Sequence, residues 1–140
     1  MIVRPVQKSD WAQWQPLWQD YNTFYGRVAA DDVTAATWGR FFDAYEPIHA
    51  IVAERNGALV GLVHYIFHRN TGTIGPVCYL QDLFTEPKLR GQGIGRALIE
   101  AVYAEAARVG SPRVYWMTHE TNTQAQVLYD KVADRSGFIQ

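Results

Sequence analysis

The chain has one cysteine, Cys78, in 140 residues, so no internal disulfide can form. That usage fits a reducing, cytoplasmic setting. It has almost no net charge: 13 Lys and Arg against 14 Asp and Glu leave a formal −1, without the basic footprint of a nucleic-acid partner. No apolar run approaches the ~18 residues of a membrane span, because His, Gln, Asp or Gly interrupts each one, and the N-terminus lacks a signal-peptide core. Neither a membrane nor a nucleic acid is therefore an expected partner. His64 and His68 share one side of a strand, but no acid or thiol stands at ligand spacing, so no metal is expected. His119-Glu120 lacks the second histidine of a zinc protease motif. Cys78 has neither a neighbouring histidine nor a charge to activate it, which reads as a buried strand cysteine rather than an acyl-carrying nucleophile.

What is present is a hydrophobic content of 48% with 19% charged residues, expected to form one domain over residues 1–140 and to bury roughly two-thirds of the unfolded surface. The first fifty residues hold 10 of the 19 aromatics. After a short strand at residues 2–6, Ser9 can cap a helix whose stripe Trp11, Trp14, Trp18, Tyr21 and Tyr25 shares one face, with a kink or fresh start at Pro16. Thr34 is the expected cap of a second helix carrying Trp38, Phe41, Phe42 and Tyr45 and stopped by Pro47. Most of these rings read as core, and some as the wall of a pocket for a cation. Ile48–Arg55 and Ala58–His68 are β-rich runs joined by Asn56-Gly57, which predicts a type I′ hairpin. Val77–Thr85 is a further strand. A helix is predicted over residues 93–109, a strand over 113–118, a helix over Thr123–Val132 and the start of a last strand over 137–140.

Between the third long strand and its helix lie Gly91, Gly93 and Gly95 at alternate positions. A loop free of side chains lets its amides converge, and the helix dipole adds positive potential, so the site suits a phosphate or pyrophosphate. The dinucleotide fingerprint needs a glycine where Arg96 stands and an acid near Arg113; a Walker loop needs Gly-Lys-Ser/Thr where Gly95-Arg96-Ala97 stands. Both are excluded on spacing, and a plain strand-to-helix turn stays open at this point.

The remaining pattern, Arg90-x-x-Gly93-x-Gly95, resembles the pyrophosphate loop of the GNAT superfamily of acetyl-CoA-dependent N-acetyltransferases. A second motif, Asn122-x-x-Ala125-x-x-Leu128-Tyr129, is similar to that family's other coenzyme motif. The resemblance implies an α/β (α+β) fold: a mixed, mostly antiparallel sheet splayed between its fourth and fifth strands, with four helices. It implies acetyl-CoA as cosubstrate, with Leu83, Phe84 and Thr85 along the pantetheine arm, Arg90, Gly91, Gln92, Gly93, Ile94, Gly95 and Arg96 around the pyrophosphate, and Asn122 on the coenzyme arm. Residues 79–84 and 114–117 resemble the branch that contains diamine acetyltransferases and yeast-type histone, polyamine and D-amino-acid acetyltransferases. Gln81 stands where the diamine enzymes carry a substrate-binding glutamate, a departure that weakens polyamine specificity.

A lysine-like amine of pKa about 10.4 must lose a proton before it attacks a thioester, at a cost of about 4.6 kcal/mol at pH 7. Asp82 is the expected group to hold that ammonium or pass its proton on, and Tyr129, which the resemblance places beside the thioester sulfur, the expected acid for the leaving thiolate. Six acids (Asp10, Asp20, Asp31, Asp32, Asp43, Glu46) against four bases in the first fifty residues suggest a mildly acidic, aromatic acceptor wall. The expected reaction is acetyl transfer to a small primary amine by direct attack. The alternatives are a protein or histone lysine acetyltransferase, a non-catalytic coenzyme-binding module and a dinucleotide-binding oxidoreductase. A short last sheet edge suggests a homodimer.

Overall fold

A computed structural model describes residues 1–137. The elements run β1 (Ile2–Pro5), α1 (Trp11–Phe24), α2 (Asp31–Arg40), β2 (Ile48–Arg55), β3 (Ala58–His68), β4 (Val77–Thr85), α3 (Ile94–Arg108), β5 (Val114–Tyr115) and α4 (Thr123–Val132). The five strands lie in sequence order in one sheet, antiparallel except for the β4–β5 pair.

Each face of the sheet carries its own core. On one face α1 packs Trp14, Leu17, Trp18 and Tyr21 over Val52, Leu62 and Phe84. On the other, α3 packs Ile94, Leu98, Ile99 and Val102 over Ile51, Val63, Tyr65 and Leu80. Trp14 is wholly buried and stacks on Trp18 at 5.8 Å; emptying such a site typically costs about 3–5 kcal/mol. The ends of the predicted stripe, Trp11 and Tyr25, are exposed.

Ser9 does not cap α1: Asp10 precedes the helix, and no side-chain cap bond forms there. Three further expectations change. Pro16 neither breaks nor restarts α1, which runs unbroken from Trp11; it sits on the exposed face, where water can reach the carbonyl left without its N–H partner. Thr34 does not cap α2, which begins at Asp31 and ends at Arg40, so that Phe41, Phe42 and Tyr45 follow it; Thr34 is buried instead, and its hydroxyl accepts the Trp18 indole N–H at 3.1 Å. The strand predicted over 113–118 shrinks to Val114–Tyr115, paired only at Cys78 and Tyr79. Beyond that point β4 and β5 part, leaving the backbone edge of residues 80–85 open on that side. The predicted start of a last strand falls on Gly137, which is not in a strand, and on residues 138–140, which lie outside the described residues. The hairpin is as predicted, with Asn56 and Gly57 both at positive φ.

Candidate active site

Parting of β4 and β5 opens two adjoining cavities of similar size. The first, about 390 Å³, runs between β4, the glycine loop and α4. Leu83, Phe84, Thr85, Arg90, Gly91, Gly93, Ile94, Gly95, Arg96 and Asn122 line it, which brings together all but one of the residues predicted to hold the coenzyme. The exception is Gln92, whose amide oxygen accepts from Arg55 at 2.7 Å. Gly93, in the left-handed region at φ 83°, forms the N-cap of α3 without any side-chain cap. The first intrahelical bond returns from Ala97, so the N–H groups of residues 94–96 have no helical acceptor. A Cβ on Gly95 would lie 3.3 Å from Leu128, so glycine there lets α4 close directly on the loop. Arg90 lies over the rings of Phe24 and Phe84 at 4.7 and 5.5 Å, and Arg96 pairs with Glu100 at 3.0 Å. An open amide set, a side-chain-free approach and two flanking guanidiniums fit a pyrophosphate and an extended amide arm.

The second cavity, about 330 Å³, is lined by Tyr21, Tyr25 and Arg27 from the end of α1, by residues 79–83 of β4, by residues 116–119 and by Tyr129. Tyr25, Leu83 and Tyr129 line both cavities. Tyr129 therefore stands at their junction, its ring edge-on to Trp116 at 5.4 Å. Burial, helped by Tyr25, pushes its phenol up to about 12. It holds its proton at any ordinary pH, so it is not a base, and as a donor to a thiolate it can act only in concert with departure of the sulfur.

Asp82 forms part of the second cavity's wall and is only 8% exposed. The Tyr21 hydroxyl donates to its Oδ1 at 2.7 Å, and its Oδ2 lies 2.9 Å from His64 Nδ1. The wholly buried His64 is fixed from behind: the Trp14 indole N–H donates to its Nε2 at 3.1 Å. An indole has no acceptor, so the imidazole proton belongs on Nδ1 and is donated to Asp82. Burial, and next the charge of Asp82, raises the Tyr21 phenol well above its ordinary value, with Arg27 pulling the other way. The chain Trp14–His64–Asp82–Tyr21 thus aims a carboxylate without leaving its buried polar atoms unpaired.

His64 and Arg27 are the residues that sequence reasoning missed as parts of this site. A histidine on the buried side of an alternating strand demands a partner, and that demand was the available signal. None of the six acids of the first fifty residues lines the second cavity, where an acidic wall was expected; Arg27 does. Elsewhere His68 is exposed, 2.7 Å from the Tyr115 hydroxyl, and Cys78 is fully buried with its thiol pushed up to about 11. Among the described residues no cluster of three or more His, Cys, Asp or Glu side chains has metal-binding geometry, and no helix is long and apolar enough to cross a membrane.

Comparison with known proteins adds to this geometry. The sequence profile of the acetyltransferase (GNAT) family matches residues 5–133. The D-amino-acid N-acetyltransferase HPA3 of Saccharomyces cerevisiae is 35% identical over 141 residues, covering 99% of this chain and 88% of the yeast protein. The thialysine N-epsilon-acetyltransferase of Sus scrofa is 32% identical over 95 residues, 62% of this chain and 55% of the pig protein. Among solved structures, the ribosomal-protein-alanine N-acetyltransferase of Brucella melitensis biovar Abortus 2308 superposes with a TM-score of 0.84 at 19% identity, over 99% of this chain and 95% of that one, and shares the fold.

Proposed function

We propose that this chain, which belongs to the GNAT family of acetyltransferases and is an N-acetyltransferase using acetyl-CoA, acts as a single catalytic domain on the primary amine of a small molecule. The observation that carries the reading is the junction: a coenzyme-shaped groove and a side-chain-lined cavity meet at Leu83 and Tyr129. When bound, acetyl-CoA supplies the activated acetyl group as a thioester. The chain's own residues do the rest. The open edge of β4 at Leu83, Phe84 and Thr85 takes the amide arm, the N–H groups of residues 91–96 with Arg90 and Arg96 take the pyrophosphate, and Asn122 flanks the arm. Tyr129 keeps a proton on its hydroxyl where a leaving thiolate needs one. Asp82, with one oxygen engaged by Tyr21 and the other by His64, works by its fixed charge: it draws the acceptor ammonium to the junction.

A small acceptor is favoured over a protein tail because the second cavity, about 330 Å³ and lined by α1, β4 and the segment before α4, has the size of a small molecule. Incubation with acetyl-CoA and an amine panel, with free thiol release as readout, tests the reading. Thiol release with a small amine supports it. Tight coenzyme binding with no turnover on any amine would instead make the chain a coenzyme-binding module, and turnover restricted to basic peptides would make it a protein acetyltransferase. We further propose a cytoplasmic homodimer, since β5 is the terminal strand of the sheet and its outer edge, away from the β4 edge assigned to the coenzyme, is one that a second copy can cover. Sedimentation with acetyl-CoA present tests the dimer, and a monomer at high concentration overturns it.

A further inference from the structure

The second cavity contains one carboxylate and one guanidinium. Asp82 is committed to His64 and Tyr21, whereas the exposed Arg27 forms no salt bridge among the described residues. Its guanidinium lies over two aromatic faces, Tyr21 at 5.4 Å and Tyr25 at 5.3 Å, and also interacts with the Tyr21 hydroxyl; with five N–H donors it keeps others to offer an anion.

This placement is built into the backbone. Helix α1 ends in a paired turn in which the Gly26 N–H donates to the Thr23 carbonyl at 3.0 Å and the Arg27 N–H to the Asn22 carbonyl at 2.8 Å, with Gly26 at φ 70°. Asn22 is itself buried and donates to the Trp18 carbonyl at 2.8 Å. The turn therefore returns Arg27 toward the sheet instead of releasing it into solvent. Tyr21 ties the two charges together, since its ring supports Arg27 while its hydroxyl holds Asp82.

A diamine would set its second ammonium against Arg27, and a neutral amine would leave that guanidinium without a partner. A small molecule that carries both an ammonium and a carboxylate satisfies both groups. We propose that the acceptor is an amino acid, or a small molecule with the same amine and carboxylate pair, and that Arg27 is the specificity residue that reads the carboxylate. This rests on the second cavity being the acceptor site. Nothing in the family match or in the relatives assigns Arg27 a part.

The test pairs D- and L-amino acids with the amines left by their decarboxylation, phenylalanine with phenethylamine for example, in wild type, Arg27→Gln and Arg27→Lys. In wild type, at least one amino acid should exceed its decarboxylated partner in kcat/KM by roughly 10- to 10²-fold, the worth of a charge-assisted hydrogen-bonded contact. Arg27→Gln should abolish that preference by raising KM for the amino acid with kcat nearly kept, should not weaken the partner amine comparably, since it removes a like charge facing the ammonium, and Arg27→Lys should restore part of it. Preference for the decarboxylated amines in wild type, or an Arg27→Gln loss that falls equally on both members of a pair, would overturn the proposal while leaving the acetyltransferase reading intact. Absence of thiol release with every amine, despite coenzyme binding, would sink that reading and this proposal together.

Discussion

The two cavities hold similar volumes, about 390 and 330 Å³, yet only the first has a glycine-built wall. One wall of the coenzyme groove is distinguished by its backbone, the glycines, the free amides at the start of α3 and an open strand edge within residues 83–96, and side chains of α1 and α4 close the rest. The acceptor cavity is largely side chain, drawn from the end of α1, β4, the segment after β5 and α4. A backbone wall changes little when side chains change. A side-chain site can be retuned one substitution at a time, so identity of coenzyme and diversity of acceptor can coexist in one fold.

If that division holds, substitutions should separate cleanly by the constant they move. The largest effect belongs at the junction. Tyr129→Phe should lower turnover by roughly 10² to 10⁴, the worth of a positioned general acid, and leave coenzyme affinity nearly unchanged, because the ring stays packed on Trp116. Stopped-assay kinetics and calorimetric coenzyme titration check this. The deficit should shrink with an acyl donor whose thiol is more acidic, and wild-type turnover would make Tyr129 structural. On the acceptor side, Tyr21→Phe removes the hydroxyl that holds Asp82 Oδ1 and should cost roughly 10- to 10²-fold in acceptor kcat/KM with the coenzyme dissociation constant unmoved. A matching loss in coenzyme affinity would erase the boundary between the cavities.

On the coenzyme side, Gly93→Ala places a Cβ in a left-handed conformation that costs roughly 1–2 kcal/mol. Coenzyme binding should weaken by up to roughly 10-fold while acceptor KM is kept. The smallest effect concerns stability at alkaline pH and spares both sites at neutrality. Burial raises the folded thiol of Cys78 from 9.0 to about 11 and the phenol of Tyr129 from 10.0 to about 12, and it raises Tyr21 and Tyr65 further. The unfolded chain releases these protons first, so their contribution is complete below about pH 9 and is lost as pH climbs through the folded values. Thermal melts should give a flat Tm from pH 7 to about 9 and a decline above; a decline starting near pH 7 would place its cause elsewhere.

The same contrast explains what the sequence made legible. Gly91, Gly93 and Gly95 announce the groove because a backbone site needs glycine at fixed spacing, and local chain geometry suffices to read it. Asp82 was visible as an acid next to the expected junction. Its partners His64 and Trp14 were not, because 18 residues separate His64 from Asp82 and 50 separate Trp14 from His64. Thr34 misled for the related reason that a hydroxyl suited to a helix start found a buried indole to bind instead. Counting acids over a window misjudged the cavity's charge, since the fold turns Asp10, Asp20, Asp31, Asp32, Asp43 and Glu46 away from it and Arg27 into it. The Gly26 that follows the aromatic stripe was the usable clue, as a helix ending there puts the next side chain beside the sheet.

His64 of β3 pairs with Asp82 of β4 but its neighbour Tyr65 pairs with Leu80, so Gln81 is an extra residue in the ladder. Side chains alternate across a strand, and one added residue inverts the phase of everything beyond it. Before Gln81 the even-numbered Cys78 and Leu80 face α3; after it the even-numbered Asp82 and Phe84 face α1. The carboxylate is thus delivered to the acceptor side by a count of residues, not by any property of its neighbours. No point substitution can undo a count. Deleting Gln81, with every interacting residue kept, would shift the frame of the strand and send either Asp82 or the hydrophobic pair upstream to the wrong side of the sheet. Insertions and deletions at this one position are therefore a route by which such a domain can gain or lose chemistry while every interacting side chain is kept.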